Sequence, residues 1–415
     1  MKILVISNLY PPYQLGGYEI ACRNVVNGLR KIGHEVHVLT SPSHLCETEL
    51  ETSVFRQLEL RAFQPATIHS KTHQIESSVT NYTNTSIVLN HIKSFEPDCV
   101  FPFNVYGLGG LGILDALNSL NLPWVMYLMD RVPEMMKYDI HAAILAIFDA
   151  QSGGIYRKGK FISISSHLLS EIESMCKYGS VFDTDFVRAW SSILDPVISR
   201  NYGDSGILKF VNAGALLPHK GIDLIIEAAA LLKDKGINNF RVDFYGEGNQ
   251  GFYIDMCKQY KVFDRIFFNG LKSQVELSDI YRVSDAFLFP THEREPFAFA
   301  PVEAAAVGCV PIMTGTCGNA EGFVDGIHCL KIKRSGKSLA FTMAKICENP
   351  LILRDTGKST QVLTRQDLSF EHSLNNIEQS LKTAIFRKSC RKKLTWKIHN
   401  LCYLKHNLTL RIATH

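Results

Sequence analysis

The sequence lacks paired cysteines, a long uninterrupted apolar run and a large excess of one charge. Its 11 cysteines stand singly with no CxxC spacing, which excludes the common structural zinc motifs and is typical of reduced thiols in the cytosol. The longest apolar stretch, residues 297–313, contains Glu303, so no integral membrane protein is expected. A net charge of +4 over 415 residues gives no indication of a nucleic-acid partner. The chain opens on the strand-like KILVIS, so we expect no signal peptide and a cytoplasmic location.

The sequence contains enough apolar material for two cores. It is 46% hydrophobic and 20% charged, and its length exceeds what one core usually serves. Strand and helix patterns alternate from the N-terminus, and a second series restarts near residue 207 with GILKFVNAG. We therefore predict an α/β protein with two Rossmann-like, doubly wound domains that face each other across a cleft, and a ligand beyond the carboxyl ends of the strands.

The predicted organisation follows these patterns. In chain order it is a first domain at 1–195, a hinge at 196–206, a second domain at 207–370, a final helix at 371–386 that returns towards the first domain, and a basic tail at 387–415. Residues 45–85 are polar and weakly periodic, so an irregular excursion is expected there. The tail mixes basic with aromatic and aliphatic residues. It is interpreted either as a contact with an anionic membrane surface or as a solvated helix or loose terminus.

Two glutamates in EPFAFAPVEAAAVGCVP lie where a nucleotide could bind. Glu295 precedes a predicted helix and Glu303 opens it. Backbone N–H groups in such a loop can bind a diphosphate, helped by the positive end of the helix, and a carboxylate can accept hydrogen bonds from hydroxyls. For an isolated pair, a capping role for Glu303 and a solvated position for Glu295 would be the better interpretation. Other parts of the chain reverse that preference.

A lysine and two glycines occur at matching places. Lys220 ends the loop GALLPHKG, where a lysine can neutralise a diphosphate leaving group. Gly16 and Gly17 follow the first strand, where a bare backbone can approach a phosphate or sugar closely. Taken singly, these residues are more typical of a solvated loop charge and a turn.

In order and spacing, these segments resemble the family-four retaining glycosyltransferases of the GT-B fold, the glycosyl transferases group 1. The resemblance rests on YPPYQLGGYEIACRNVVNGLRKIGHEVHVLT, GALLPHKGIDLIIEAAALL, FYGEG, VELSDIYRVSDAFLFP and THEREPFAFAPVEAAAVGCVPIMTGTCGNAEGFVDG. It covers the second domain nearly throughout and the first domain mainly at its start. It implies a nucleoside-diphosphate sugar as co-substrate, with no metal and no other cofactor.

The resemblance also assigns roles to residues. Glu295 would contact hydroxyls of the donor sugar, Glu303 the ribose, and Lys220 the diphosphate. Asp130, which follows VMYL, would contact the sugar or the acceptor, with a helix cap as the alternative. Further donor contacts are implied for Gly16, Gly17, Gly246, Glu247, Phe297, Ala298 and Phe299, with the backbone of the last three supplying N–H donors.

The implied activity is transfer of a sugar, with retention of configuration, from a UDP- or GDP-linked donor to a glycan or lipid-linked acceptor. The departing phosphate would assist deprotonation of the acceptor, and electrostatic stabilisation of that leaving group would be the main catalytic contribution. Polysaccharide or glycoconjugate biosynthesis, at the inner face of the membrane or free in the cytoplasm, would be the setting.

Three positions depart from the family pattern. Ala215 replaces a common arginine, Ala298 a loop glycine, and Met129 a histidine before Asp130. These departures keep open a non-catalytic scaffold that binds sugar nucleotides. A sugar-nucleotide epimerase or a phosphorylase of the same fold is the enzymatic alternative.

Two literal motifs point to other classes of protein. Gly107, Gly109 and Gly112 spell GxGxxG, the fingerprint of a dinucleotide-dependent oxidoreductase. The motif lies in the middle of the first domain rather than in its opening βα unit, so this alternative is the weaker one. Residues 183–185 spell DxD, which would bind a metal–nucleotide complex in another glycosyltransferase fold, and a surface turn is the favoured interpretation.

Overall fold

The structure, a computed structural model, describes residues 1–13, 16–42, 52–61, 71–179 and 181–387. The chain forms two compact units. Unit 1 comprises the described residues within 1–162, 171–185 and 376–387, and unit 2 comprises Ser163–Ser170 and Phe186–Asn375. The predicted hinge at 196–206 falls within unit 2 in this division, and the predicted domain bounds stay a prediction. The basic tail, from residue 388 onwards, lies outside the described residues.

The elements of the first half alternate strand and helix. They are β1 (Lys2–Ser7), α1 (Gly17–Lys31), β2 (Glu35–Thr40), β3 (Val54–Arg56), α2 (Lys71–Gln74), a π-helical turn (Ile75–Val79), α3 (Tyr82–Phe95), β4 (Cys99–Asn104), α4 (Gly110–Ser119), β5 (Val125–Leu128), α5 (Val132–Met135), α6 (Ala142–Ile147), a 3-10 turn (Gly154–Lys158), β6 (Lys160–Ser163), α7 (Ser166–Cys176) and β7 (Thr184–Phe186).

The second half repeats this alternation. Its elements are β8 (Leu208–Ala213), a 3-10 turn (Pro218–Lys220), α8 (Ile222–Asp234), β9 (Phe240–Tyr245), α9 (Gln250–Gln259), β10 (Ile266–Phe268), α10 (Gln274–Val283), β11 (Ala286–Phe289), α11 (Ala300–Ala306), β12 (Val310–Thr314), a 3-10 turn (Gly318–Glu321), β13 (Leu330–Ile332), α12 (Gly336–Glu348) and α13 (Ile352–Asp367). Residues 370–387 are also helical.

Unit 1 is built on β1. This strand pairs in parallel with β2 and β4, which gives the sheet order β3-β2-β1-β4, and a second sheet has the order β5-β6-β7. Residues 3–6 of β1 are fully buried, as expected for a strand covered on both faces of a parallel sheet. The predicted irregular excursion at 45–85 is wrong in its described part, because β3 pairs with β2 and residues 71–79 are helical.

Unit 2 contains one parallel sheet with the order β10-β9-β8-β11-β12-β13. Counted from β8, this is the doubly wound order 3-2-1-4-5-6, in which the direction of winding reverses between the first and fourth strands. The topological switch point therefore lies between β8 and β11. In the core of unit 2, apolar side chains pack the sheet against α8 and α12; they include Phe210, Ile225, Phe244, Leu288 and Leu339. Within the described residues, no helix combines the length and apolar character needed to cross a membrane.

Candidate functional site

The loop after β8 lies directly against the loop after β11. Gly221 has a φ of +76°, and a Cβ at this position would lie 2.2 Å from the carbonyl oxygen of Pro290. Only glycine fits this close approach. The N–H of His292 donates to the carbonyl of His219 at 2.9 Å, which ties the two loops together at the switch point of the sheet.

This approach brings Lys220 and Glu295 into contact. Nζ of Lys220 lies 2.5 Å from Oε2 of Glu295. The hydroxyl of Thr291 lies 3.3 Å from the same oxygen. The side chains of the pair are 24% and 10% exposed, so Lys220 reaches the solvent while Glu295 is buried. An ammonium group has three N–H donors, which leaves Lys220 able to bind a further anionic acceptor while it holds Glu295.

The loop from Glu295 to Phe299 is held by residues that follow β12. Asn319 is fully buried, and its Oδ1 accepts the N–H of Ala298 at 2.8 Å while its Nδ2 donates to the carbonyl of Ala298 at 2.9 Å. The N–H of Gly318 donates to the carbonyl of Glu295 at 2.8 Å. The predicted Ala298 N–H donor is therefore taken by Asn319. Among the described residues no acceptor is found for the N–H groups of Phe297 and Phe299, which remain candidates for a diphosphate.

Glu303 lies in the first turn of α11 and is 8% exposed. Its N–H donates to the carbonyl of Phe299 at 3.0 Å. Its Oε1 accepts a hydrogen bond from Nε2 of Gln274 at 2.6 Å. Burial raises the pKa of Glu303, and the bond from Gln274 partly opposes that rise. This carboxylate is held by one side-chain donor in a largely dry setting, which suits recognition of hydroxyl groups.

The FYGEG loop is shaped by packing. A Cβ on Gly246 would lie 1.9 Å from the carbonyl oxygen of Gly214, and one on Gly248 would lie 2.7 Å from the Cβ of Leu216. Both glycines also have positive φ. They allow the loops after β8 and β9 to lie side by side, and Glu247 between them is exposed. Donor contacts for Gly246 and Glu247 stay a prediction.

The predicted residues of unit 1 follow β1 and β5. Gly16 has an extended φ of −175°, and no atom of the described residues lies within 4 Å of the place where its Cβ would be. The described part of the fold thus does not require a glycine here, which leaves room for a ligand. Gly17 opens α1 and is exposed. Asp130 accepts the N–H of Arg131 at 2.7 Å through Oδ1, which supports the start of α5, and its catalytic role stays a prediction.

The GxGxxG motif serves helix packing. A Cβ on Gly109 would lie 2.2 Å from the backbone nitrogen of Asn81, and one on Gly112 would lie 2.5 Å from the hydroxyl of Thr80. The N–H of Gly109 donates to the carbonyl of Ser77 at 2.8 Å. These glycines let α4 lie against the start of α3, and the Gly109 N–H is no longer free for a phosphate.

The DxD motif is part of a sheet. Residues 184–186 form β7, so the predicted surface turn is wrong. Nζ of Lys160 lies 3.5 Å from Asp183 and 3.0 Å from Asp185, and the Lys160 side chain is 5% exposed. The two carboxylates therefore neutralise a buried lysine.

Three residues of the site escaped the sequence analysis. Thr291, Asn319 and Gln274 each hold a predicted residue in place. Sequence signals for two of them exist, since Asn319 follows a glycine after β12 and Gln274 is the second residue of the helix-start pattern SQVE. Neither signal names the partner residue, which only the fold supplies.

Comparisons with known proteins bear on this geometry. Residues 202–362 match the family model described as glycosyl transferases group 1. An uncharacterized glycosyltransferase of Methanocaldococcus jannaschii is 23% identical over 368 residues, 88% of this chain and 94% of that protein. Among solved structures, the sucrose-phosphate synthase of Thermosynechococcus elongatus is similar with a TM-score of 0.69 and 17% identity, over 92% of this chain and 98% of that one. Anabaena HepE in complex with UDP-glucose has a TM-score of 0.64 and 16% identity, over 92% and 100%.

Proposed function

Because this chain has the GT-B fold and its residues 202–362 match the glycosyl transferases group 1, we propose that it is a retaining glycosyltransferase. Its donor is a UDP- or GDP-linked sugar, and its acceptor is a glycan or a lipid-linked glycan. The contact between Lys220 and Glu295 is the observation that carries the proposal. A cation and a carboxylate lie together at the switch point of a doubly wound sheet, where such folds bind nucleotides, and this supports the proposed roles of both residues.

Each residue has a distinct task in this proposal. The ammonium of Lys220 binds the diphosphate and stabilises the charge that develops as the sugar–phosphate bond breaks. Its second contact holds Glu295, whose carboxylate orients the hydroxyls of the sugar. The N–H groups of Phe297 and Phe299 add donors to the diphosphate, and Glu303 accepts from the ribose. The released phosphate oxygen takes the acceptor's proton. The positive charge that stabilises the diphosphate comes from Lys220 and the backbone N–H groups, so no metal or further cofactor is needed.

Two observations support a choice of donor nucleotide and of acceptor location. HepE, whose fold this chain shares, has been solved in complex with UDP and with UDP-glucose, which supports a uridine donor as the first to test. The sequence of the basic tail supports a cytoplasmic enzyme that meets an anionic membrane surface where a lipid-linked acceptor is presented. Polysaccharide or glycoconjugate biosynthesis follows from that acceptor class. Asp130 and the pair of Gly16 and Gly17 serve the sugar or the acceptor.

Calorimetric titration of the full chain with UDP, GDP, UDP-glucose, GDP-mannose and NAD tests the donor class. We expect one nucleoside diphosphate to bind without added metal, and its affinity to fall by about tenfold or more in Lys220→Ala, since a charge-assisted hydrogen bond is lost. The control is Lys258→Ala, because Lys258 forms an exposed ion pair with Asp255 on α9. Binding of NAD alone would overturn the proposal.

A non-catalytic scaffold is the second candidate, and Ala215 is the observation that favours it. This residue is exposed in the loop after β8, where the family commonly carries an arginine. Release of the sugar from a bound donor, with or without an acceptor, separates the two candidates. Binding with no transfer and no hydrolysis would favour the scaffold.

A further inference from the structure

A cavity of about 510 Å³ lies in unit 2 along one side of α10. Gln274 and Glu303 both line it, and residues 192–195 form part of another wall. The guanidinium of Arg282, in the last turn of α10, also lines it and bonds both oxygens of Asp195 at 2.6 and 3.1 Å. Cavities of this size are common for small-molecule ligands. Glu303 is therefore buried against protein and yet reaches a space that a ligand can enter.

The two oxygens of Glu303 are not equivalent. Oε1 accepts from Nε2 of Gln274 at 2.6 Å, and no other side-chain donor to this carboxylate is found in the described part of the chain. A carboxylate can accept about four hydrogen bonds. Oε2 thus retains its full accepting capacity, while the bond at Oε1 fixes the plane of the group.

Gln274 is held firmly enough to act in this way. It is the first residue of α10, which begins with a capping box: the hydroxyl of Ser273 accepts the N–H of Glu276 at 3.3 Å, and Glu276 accepts the N–H of Ser273 at 2.8 Å. Nζ of Lys272 holds the other oxygen of Glu276 at 3.0 Å. Because both sides of the helix start are fixed, the backbone that carries Gln274 is held in place, and the bond to Glu303 orients the amide.

We propose that Gln274 is a positioning residue for nucleoside recognition: its amide fixes Glu303 so that the free oxygen accepts hydrogen bonds from the ribose hydroxyls of the donor. The inference rests on the proposed nucleotide-sugar function and adds a specificity element to it. Gln274 does not itself contact the nucleotide, and its effect passes through Glu303 alone.

The amide also favours the ionised form of Glu303. Burial favours the protonated carboxyl and raises the pKa of Glu303, whereas the Gln274 N–H stabilises the carboxylate and lowers it. A protonated Glu303 accepts fewer hydrogen bonds from a ribose. Removal of the amide should therefore move the acid limb of nucleotide binding to higher pH, a change that a purely structural role of Gln274 would not produce.

Gln274→Met, which keeps the length of the side chain and removes the donor, tests the inference in the full chain. We expect the affinity for the preferred nucleoside diphosphate to fall about tenfold. The affinity for its 2′,3′-dideoxy analogue and for inorganic pyrophosphate should stay the same, because these ligands lack the hydroxyls that Glu303 binds. Calorimetry over a range of pH gives both the affinities and the shift of the acid limb.

Gln259→Met is the matched control, because it makes the same substitution at an exposed position at the end of α9, outside the lining of the cavity. It should bind every ligand as the unchanged chain does. An equal loss of affinity for the dideoxy analogue in Gln274→Met, or no loss for any ligand, would overturn the positioning role. If the unchanged chain bound no nucleoside diphosphate at all, the proposed function would fail first and this inference with it.

Discussion

Lys220 and Glu295 are 75 residues apart in the chain, and their side chains meet with 2.5 Å between Nζ and Oε2. The contact exists because β8 and β11 are neighbours in the sheet of unit 2 and both of their loops leave from the carboxyl end. A pair that depends on strand order in this way acts as one unit. Its two members should respond together to substitution.

The first prediction concerns this pair. Lys220→Ala and Glu295→Ala should each lower kcat for sugar transfer by about 10²- to 10³-fold, because each removes charge or orientation at the developing leaving group. The double variant should be little worse than the poorer single variant, since neither side chain works without the other. Steady-state kinetics at saturating donor measures all three. Additive losses in the double variant would show that the two residues act separately.

The fold should survive these changes at a moderate cost. Lys220 is half-buried and Glu295 is buried, so Lys220→Ala leaves a buried carboxylate without its cation and should lower the free energy of unfolding by roughly 1–3 kcal/mol. Glu295→Ala removes that buried charge and should cost less. Thermal unfolding, with the exposed Lys258→Ala as the reference, measures both costs, and loss of the cooperative transition would assign the pair a structural role instead.

A second prediction concerns the pH dependence that Glu303 confers. Burial raises the pKa of Glu303, so the folded chain holds this proton to higher pH than the unfolded chain does. Stability contributed at this site is thus lost as pH rises from the unfolded pKa of glutamate through the raised value. Glu303→Gln removes this loss and should raise Tm at about pH 8, with little effect at about pH 4.

The same substitution should harm binding. The amide introduced by Glu303→Gln would still accept a hydrogen bond from Gln274 but offers no charge to the ribose, and we expect affinity for the nucleoside diphosphate to fall roughly tenfold. Parallel calorimetry and thermal unfolding would show a chain that is more stable and binds less well. Unchanged affinity in a folded Glu303→Gln chain would remove Glu303 from the nucleotide site.

A third prediction concerns Asn319. Its side chain satisfies both backbone groups of Ala298, so Asn319→Ala leaves a half-buried donor and a half-buried acceptor unpaired and removes a buried side chain. This should cost roughly 2–4 kcal/mol in the free energy of unfolding and should raise KM for the donor as the loop loosens. Asn238→Ala is the control, because Asn238 is exposed and its side chain bonds the carbonyl of nearby Gly236. Denaturant unfolding and donor kinetics measure the two effects.

A fourth prediction contrasts two glycines of unit 1. Gly109→Ala should destabilise the fold by about 2 kcal/mol or more, since its φ is +76° and its Cβ would strike the backbone of Asn81. Gly16→Ala should leave Tm unchanged, because its Cβ meets no atom of the described chain within 4 Å, and should lower donor affinity. A Gly109→Ala chain that stays stable but loses NAD binding would revive the dinucleotide interpretation.

Much of the scaffold could be predicted from sequence periodicity. The second series of strand and helix patterns begins at GILKFVNAG, which predicts β8, and the amphipathic segment after Lys220 predicts α8. Both predictions succeed because local apolar spacing determines whether a segment forms a strand or a helix. The resemblance to GT-B glycosyltransferases is confirmed over the second unit. Placement of Lys220 after β8 and Glu295 after β11 follows from the same motifs.

Other contacts could be identified only from the folded structure. The carboxylates of Asp183 and Asp185 look solvated in the sequence, yet they neutralise Lys160, which β6 buries. The bonds of Asn319 to Ala298 and of Gln274 to Glu303 join residues that are 21 and 29 positions apart. No local pattern encodes such partners, since they depend on how strands and loops are arranged in space.

The last described helix has a consequence for synthesis of the chain. In unit 1, Glu378 lies 2.8 Å from His34, and the hydroxyl of Ser380 bonds Asp185 at 2.5 Å. Unit 1 is therefore completed by helical residues that follow unit 2 in the chain, and these residues are synthesised after all of unit 2. Nearly the whole chain must be synthesised before unit 1 can complete its structure, and a single cut at either end of Phe186–Asn375 separates these residues of the last helix from the rest of unit 1.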